Sequence, residues 1–345
     1  MAKQSMQGKA FEYACLTTLY EHFSRQQTVE IENSSSVRSA KVSYESISTS
    51  DQLEMRKAAA AAVVTLARLE PQLSYAGKNK PLYLTIQKDV SGEAGDVRDV
   101  LAIRQQNDWE IGISVKHNHD AVKHSRLSNT IDFGLQWFRT PCSSDYFATI
   151  GPIFQELSNL RDSSIMWRDL ENKEGRFYVP ILNAFKEELL SLYALHGSLI
   201  PQELMKYLLG RVDFYKLIAD TKRKVTKLQA FSFFGTLNNP AGKVRPMHRI
   251  PQVKLPEVIH SVDFKAGSKT TLLIVCDEGW QLSARIHNAS SAVEPSLKFD
   301  IKLIGQPPTV YSHDEPWGEF AGYGIESFGD LVAEETRKSS EETEF

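Results

Sequence analysis

The sequence predicts an α/β protein: a mixed sheet flanked by helices, a helical middle insertion and a β-rich C-terminal region. Three observations predict this. Short apolar, partly alternating runs at Leu82–Gln87, Val97–Arg104 and Trp109–Lys116 follow helical segments in the first third of the chain. Helical periodicity then dominates residues 145–235. Strand patterning returns after about residue 246, at Thr270–Cys276, Trp280–Ile286 and Ser296–Leu303.

Taken in order, Gly8–His22 reads as a helix, because Phe11, Ala14, Cys15 and Leu19 recur at helical spacing. Residues 29–50 are Ser-rich and partly alternating, which fits a loop with at most one strand. A helix is expected from Asp51 to Leu69. Thr49-Ser50-Asp51 can cap it, Ala58–Ala62 has high helix propensity, and Pro71 marks its end. Ser91–Gly95 reads as a turn. Val97–Arg104 and Trp109–Lys116, joined by the polar Gln105–Asp108, form an antiparallel hairpin. Four helices are expected near 146–160, 179–196, 202–210 and 212–229. The boundaries that follow are a core at 1–140, a helical region at 141–245, a β-rich region at 246–330 and an acidic tail at 331–345. The tail, with Glu334, Glu335, Glu341, Glu342 and Glu344, is expected to be solvated and disordered.

Composition excludes several classes. Of the 345 residues, 41% are hydrophobic and 24% charged, the profile of a soluble globular protein rather than a collagen, a disordered chain or a disulfide scaffold. No window approaches 18 uninterrupted apolar residues, and the N-terminus lacks the apolar core of a signal peptide. Cys15, Cys142 and Cys276 are far apart and odd in number, which fits a reducing cytoplasm and no zinc site. Net charge is -3, yet Arg211–Lys269 holds twelve Lys/Arg against four Asp/Glu. Such a segment suits a polyanion; a solvated helix surface, or a surface for an acidic protein partner, is the alternative.

The hairpin carries the chemistry. Trp109, Ile111, Ile113 and Val115 form one face of its second strand and Glu110, Gly112, Ser114 and Lys116 the other. Lys is depleted in strand interiors and rarely buried without a partner. Asp99 opens the neighbouring strand, so in an antiparallel pair Asp99 and Lys116 can converge. Glu110 shares the Lys116 face, but roughly 20 Å of strand separates them, so it is expected to be structural.

These residues resemble the PD-(D/E)XK nuclease core, in which an Asp begins one strand and an (Asp/Glu)-x-Lys ends its partner. The resemblance implies that carboxylates bind Mg²⁺ and that the Lys acts on the attacking water. Phosphodiester hydrolysis needs hard oxygen ligands and a cation near the developing charge. Ser114 departs from the pattern, standing where an acid is expected. Glu12 of the first helix is the leading replacement and Asp96 the reserve; a solvated surface role for Glu12, and a turn-capping role for Asp96, are the alternatives. A longer resemblance links Gly8–Leu16, Gly95–Val100, Glu110–Ser128 and Ala284–Pro307, in that order, to the HaeIII-type restriction endonuclease family. It implies a type II restriction enzyme that cuts double-stranded DNA with Mg²⁺, with GGCC the best guess for the site. It also implies a partner methyltransferase acting on the same site.

Residues after Lys116 add donors suited to phosphate oxygens: His117, Asn118, His119, Lys123, His124, Arg126 and Ser128. A His-rich metal site or plain surface polarity is the alternative. In the C-terminal block Arg285, Asn288 and Lys298 are candidate base readers, with His287 beside them and Glu294 a weaker candidate. Two functions compete with a restriction endonuclease: a catalytically inactive DNA-binding protein on a nuclease fold, which Ser114 favours, and a globular protein whose basic segment binds an acidic protein. The endonuclease reading is adopted, with a two-fold homodimer matching a palindromic site, a cytoplasmic location and no membrane contact.

Overall fold

The computed structural model describes residues 2–74, 81–88, 96–105, 108–117 and 121–318, with backbone alone for 2–4 and 121–124. The acidic tail expected at 331–345 lies outside them.

The first layer is a seven-stranded mixed sheet. It is entered through helix α1 (Ala2–Phe23) and strand β1 (Val29–Ile31), then α2 (Ser35–Glu45), α3 (Thr49–Leu69) and the short α4 (Pro71–Ser74). Strands β2 (Leu82–Ile86), β3 (Val100–Arg104) and β4 (Trp109–His117) follow. Strand β5 (Ala121–Leu127) leaves for a second sheet. After the helical region the chain returns with β6 (Phe214–Asp220) and β7 (Val225–Phe231), and later with β12 (Tyr311–Pro316). The order is β1-β2-β3-β4-β6-β7-β12, with β4 and β6 parallel and β3 antiparallel to β4.

Helices α1 and α3 cover one face of this sheet. Phe11, Ala14, Leu16 and Leu19 pack with Ile111, Ile113, Val115, Tyr215, Leu217 and Leu228. The alanines at 58–62 let α3 lie close, so that Thr226 on β7 donates to the Ala58 carbonyl at 2.8 Å. Ser48 caps α3, its hydroxyl accepting from Asp51 N, one residue ahead of the expected capping stretch.

Helices α5 (Phe133–Phe138), α6 (Ser144–Asp162), α7 (Val179–His196) and α8 (Leu199–Leu209) form the middle. They cover one face of the second sheet, which adds β8 (Ile259–Phe264), β9 (Thr271–Cys276), β10 (Gln281–His287) and β11 (Leu297–Gly305) to β5. Its order is β5-β11-β10-β9-β8, antiparallel throughout. Trp137 stacks on Tyr207 and Phe299, with centroids 5.1 and 6.1 Å away, and joins helices to sheet. No described helix is long and apolar enough to cross a membrane.

Two sequence expectations are corrected. Residues 212–229 form no helix; they are the β6–β7 hairpin, which completes the first sheet. Asp220 makes the turn by accepting from the backbone of Lys222 and Arg223, and Lys224 takes a positive φ of 54°. Residues 29–50 hold a helix as well as a strand: Ser34 caps α2 by accepting from Val37 N.

Candidate active site

The β3–β4 hairpin and α1 build the site. Asp99 immediately precedes β3, and its amide still bonds the Ile113 carbonyl at 2.9 Å. Where the ladder would continue, the side chain takes over: Asp99 Oδ2 accepts from Val115 N at 2.6 Å and from Lys116 Nζ at 3.2 Å, with Ser114 Oγ at 3.4 Å. Every protein partner of the carboxylate converges on Oδ2. Oδ1 has none among the described residues, and the side chain is 24% exposed. The hairpin thus fixes the carboxylate through one oxygen and presents the other.

Helix α1 meets the same end of β4. Phe11 lies edge-on to His117, centroids 5.8 Å apart. Glu12 follows Phe11, and it shares a neighbour with Asp99: burial first, then the charges of Glu12 and Asp99, push the Cys15 thiol well above its ordinary range. Glu12 and Asp99 are thus both within electrostatic reach of Cys15, and a pair of carboxylates is a hard donor set. That donor set fits a divalent cation such as Mg²⁺ better than a transition metal. No cluster of three or more His, Cys, Asp or Glu side chains suited to a metal occurs among the described residues.

Asp96 is placed differently. Arg98 bonds both its oxygens, Nε to Oδ1 at 2.9 Å and Nη2 to Oδ2 at 2.7 Å, and reaches on to Glu110 at 2.5 Å. Burial would raise the Asp96 carboxyl, but the hydrogen bonds and charge of Arg98, together with the Gln87 side chain, outweigh it and hold it below the usual range. Gly112 makes room, for a Cβ there would lie 2.0 Å from Arg98 Cδ. Asp96, Arg98, Gly112 and Glu110 thus form a clasp across the hairpin, one residue from Asp99.

The donors that follow Lys116 separate. His117 points to the opposite face from Lys116, against α1, and burial lowers its pKa, with Asp51 and Glu54 opposing. Asn118 and His119 lie outside the described residues. Lys123 and His124 sit on β5, level with Ile301 and Asp300. Arg126 contacts Glu294 Oε2 at 2.7 Å and Ser296 Oγ at 2.6 Å. Ser128 is buried and accepts from Thr130 N and Ile131 N, so it shapes a turn.

On the second sheet, Arg126, Lys298 and His287 stand level on β5, β11 and β10, with Asp300 and Arg285 level one step on. Their strands bury Leu297, Phe299, Ala284 and Ile286 on the helical side, so these polar residues face away from the helices. His287 Nε2 meets Asp300 Oδ2 at 2.8 Å, and Lys298 Nζ lies 3.9 Å from Asp300 Oδ1. Arg285 is exposed, with no hydrogen bond or ion pair among the described residues. Asn288 spends both amide protons on the carbonyls of Ser290 and Ala292, each at 2.7 Å, and so holds its own loop.

Sequence reasoning missed Lys216. It stands on β6 level with Ser114 and is 5% exposed. Its signal was a lone Lys inside the apolar run Phe214–Ala219.

A carboxylate and a lysine at the mouth of a mixed-sheet hairpin are groups of the kind that metal-assisted phosphodiester hydrolysis needs. The profile of the HaeIII restriction endonuclease family matches residues 8–307. The type II restriction enzyme HaeIII of Haemophilus aegyptius is 44% identical over 317 residues, covering 92% of this chain and 99% of the relative. The chain belongs to the HaeIII restriction endonuclease family, a family of type II restriction enzymes. No solved structure matches it.

Proposed function

We propose that the chain cuts both strands of DNA at GGCC in a Mg²⁺-dependent reaction, with Asp99 and Glu12 holding the ion and Lys116 acting on the water. The observation that carries this is the one-sided anchoring of Asp99, with Oδ2 fixed by Val115 N and Lys116 and Oδ1 without a partner among the described residues. Bound there, the ion would supply Lewis-acid stabilisation of charge on the phosphoryl oxygens. Lys116 Nζ, held 3.2 Å from Asp99, orients the attacking water by donating to its oxygen and places positive charge where the phosphorane gains negative charge. The backbone N–H of Val115 keeps the carboxylate from rotating, so this geometry exists before DNA arrives.

Base readout falls to the polar face of the second sheet. Arg285 is the leading residue, because a guanidinium with no hydrogen bond or ion pair among the described residues can offer two donors to guanine O6 and N7. Arg126, His287 and Lys298 stand beside it with Asp300 and Glu294 as their counter-charges. GGCC is a palindrome, so a two-fold homodimer would match its symmetry. A methyltransferase protecting the same site in the cytoplasm completes the system.

The test is digestion of unmethylated phage DNA by wild-type protein and by Lys116→Ala, in Mg²⁺ and in EDTA, with the fragment ends sequenced. Discrete fragments ending within GGCC, lost in EDTA and in the variant, are expected. Tight binding with no cutting under any divalent ion would replace this reading with a catalytically inactive DNA-binding protein.

A further inference from the structure

The catalytic face of the first sheet continues beyond β4. Lys116 is level with Ile218 on β6, and Ile218 with Lys227 on β7. One step back, Ser114, Lys216 and Gln229 form a parallel row. Thr226, Leu228 and Ala230 turn toward α3, as the Thr226–Ala58 bond requires, so Lys227 and Gln229 turn to the catalytic side. Gln229 is tied to Gln306 at 2.6 Å.

Lys227 is half-buried, and among the described residues it makes no ion pair. This is not for want of an acid. Asp314 on β12 is its partner in register and shares its face. Asp314 instead pairs with Arg223 at the hairpin tip, 3.5 Å away. Arg211, Lys224, Lys254 and Lys269 of the basic segment are spent on Glu203, Glu54, Glu278 and Glu174. Lys222, Lys243, Arg245, Arg249 and Lys265 likewise make no ion pair among the described residues, but they stand in turns and loops, whereas Lys227 is fixed on a strand. With Asp314 shared with Arg223, a partly buried ammonium without a close ion pair of its own gains from an added anion.

Resting on the nuclease reading above, we propose that Lys227 binds a DNA backbone phosphate close to the bond that is cut. Two strand spacings separate it from Lys116, about 10 Å. That is short enough for Lys227 to reach a phosphate neighbouring the one that is attacked. Seven register pairs hold β7 against β6, so the ammonium is carried on a rigid element, with the buried Ile218 between it and Lys116.

The experiment measures binding of wild type, Lys227→Ala, Lys227→Gln and Lys227→Arg to two duplexes, one carrying the cleavage site and one of random sequence. Ca²⁺ replaces Mg²⁺ and NaCl is varied; steady-state cleavage is measured alongside. Loss of one phosphate contact should flatten the slope of log affinity against log salt by about 0.9 in the Ala and Gln variants. Affinity for both duplexes should fall together, roughly tenfold, with the loss in kcat/KM carried by KM. Lys227→Arg should restore slope and affinity. An unchanged slope and affinity in Lys227→Ala or Lys227→Gln would overturn the proposal, as would a loss confined to kcat. Wild-type cleavage reports separately on the nuclease reading, and the binding slopes read Lys227 whether or not the wild type cuts.

Discussion

Gly112→Ala tests whether the clasp beside Asp99 has the role its geometry implies. A Cβ at residue 112 would lie 2.0, 2.5 and 2.7 Å from Cδ, Cγ and Cβ of Arg98. Carbon atoms in contact prefer about 3.5–4.0 Å, so the whole stem of Arg98 must move by roughly 1–2 Å. The guanidinium cannot follow while bonded to both Asp96 and Glu110. Glu110 is 40% exposed, so its share is largely screened by solvent; Asp96, at 22%, carries most of the cost. Losing a partly buried charge-assisted pair costs about 1.5–3 kcal/mol. The reduced freedom of the unfolded chain returns about 0.5–1 kcal/mol for a Gly→Ala change. The net destabilisation should therefore be about 1–2 kcal/mol. Thermal and urea unfolding of wild type, Gly112→Ala, Arg98→Ala and the double variant measure it. With Arg98 removed, the added methyl should cost almost nothing. The pH dependence has a fixed sign. Arg98 holds the Asp96 carboxyl below its ordinary value, so the contribution is present above about pH 4 and disappears as pH falls through the depressed value. Wild-type stability in Gly112→Ala, or an equal penalty with and without Arg98, would refute the clasp.

The remaining predictions concern the site and the core. On the proposal that Glu12 rather than the hydroxyl replaces the missing acid, Ser114→Ala should keep cleavage within about tenfold of wild type while Glu12→Gln loses about 100-fold; the reverse order in single-turnover rates would move the second ligand to Ser114. Arg285→Ala should weaken binding to the cognate duplex by about 1–3 kcal/mol and leave random DNA almost unchanged, as competition titrations would show; equal losses on both would make Arg285 a phosphate contact. Glu70 accepts from Tyr215 and Asn238 through Oε1, and burial raises its carboxyl to about 7. The folded chain then holds a proton that the unfolded chain releases above its ordinary value of 4.5. Stability should fall as pH rises through that window, and Glu70→Gln should lack that part of the slope. Parallel urea midpoints for the two proteins between about pH 5 and pH 8 would reject it.

What could be read from the sequence follows from how each segment is buried. The β3–β4 hairpin was legible because β4 buries Trp109, Ile111, Ile113 and Val115 against α1 and α3 while Glu110 stays exposed at its start. Helices α6 and α7 were legible for the same reason, each burying one stripe. Strand β6 was not, because it lies mid-sheet and is buried on both faces from Phe214 to Ala219, which erases the two-residue period. Its turn, Thr221–Lys224, then looked like the basic side of a helix.

The site divides along a similar line. Asp99 and Lys116 could be inferred because their pairing depends only on the hairpin, and the two-residue period already sends His117 to the other face. Donor density after Lys116 and after Arg285 was a weaker guide, since it counts donors without showing where they are spent. Ser128 spends its oxygen on two backbone amides of its own turn, and Asn288 spends both amide protons on its own loop. Arg285 and Lys227 each reach their face of the sheet without a hydrogen bond or ion pair among the described residues. A side chain that can bond within its own turn does so before any ligand arrives. Strand residues have backbone groups already paired in the ladder and side chains that stand off the sheet, so a strand side chain such as Arg285 has no turn of its own to bond within.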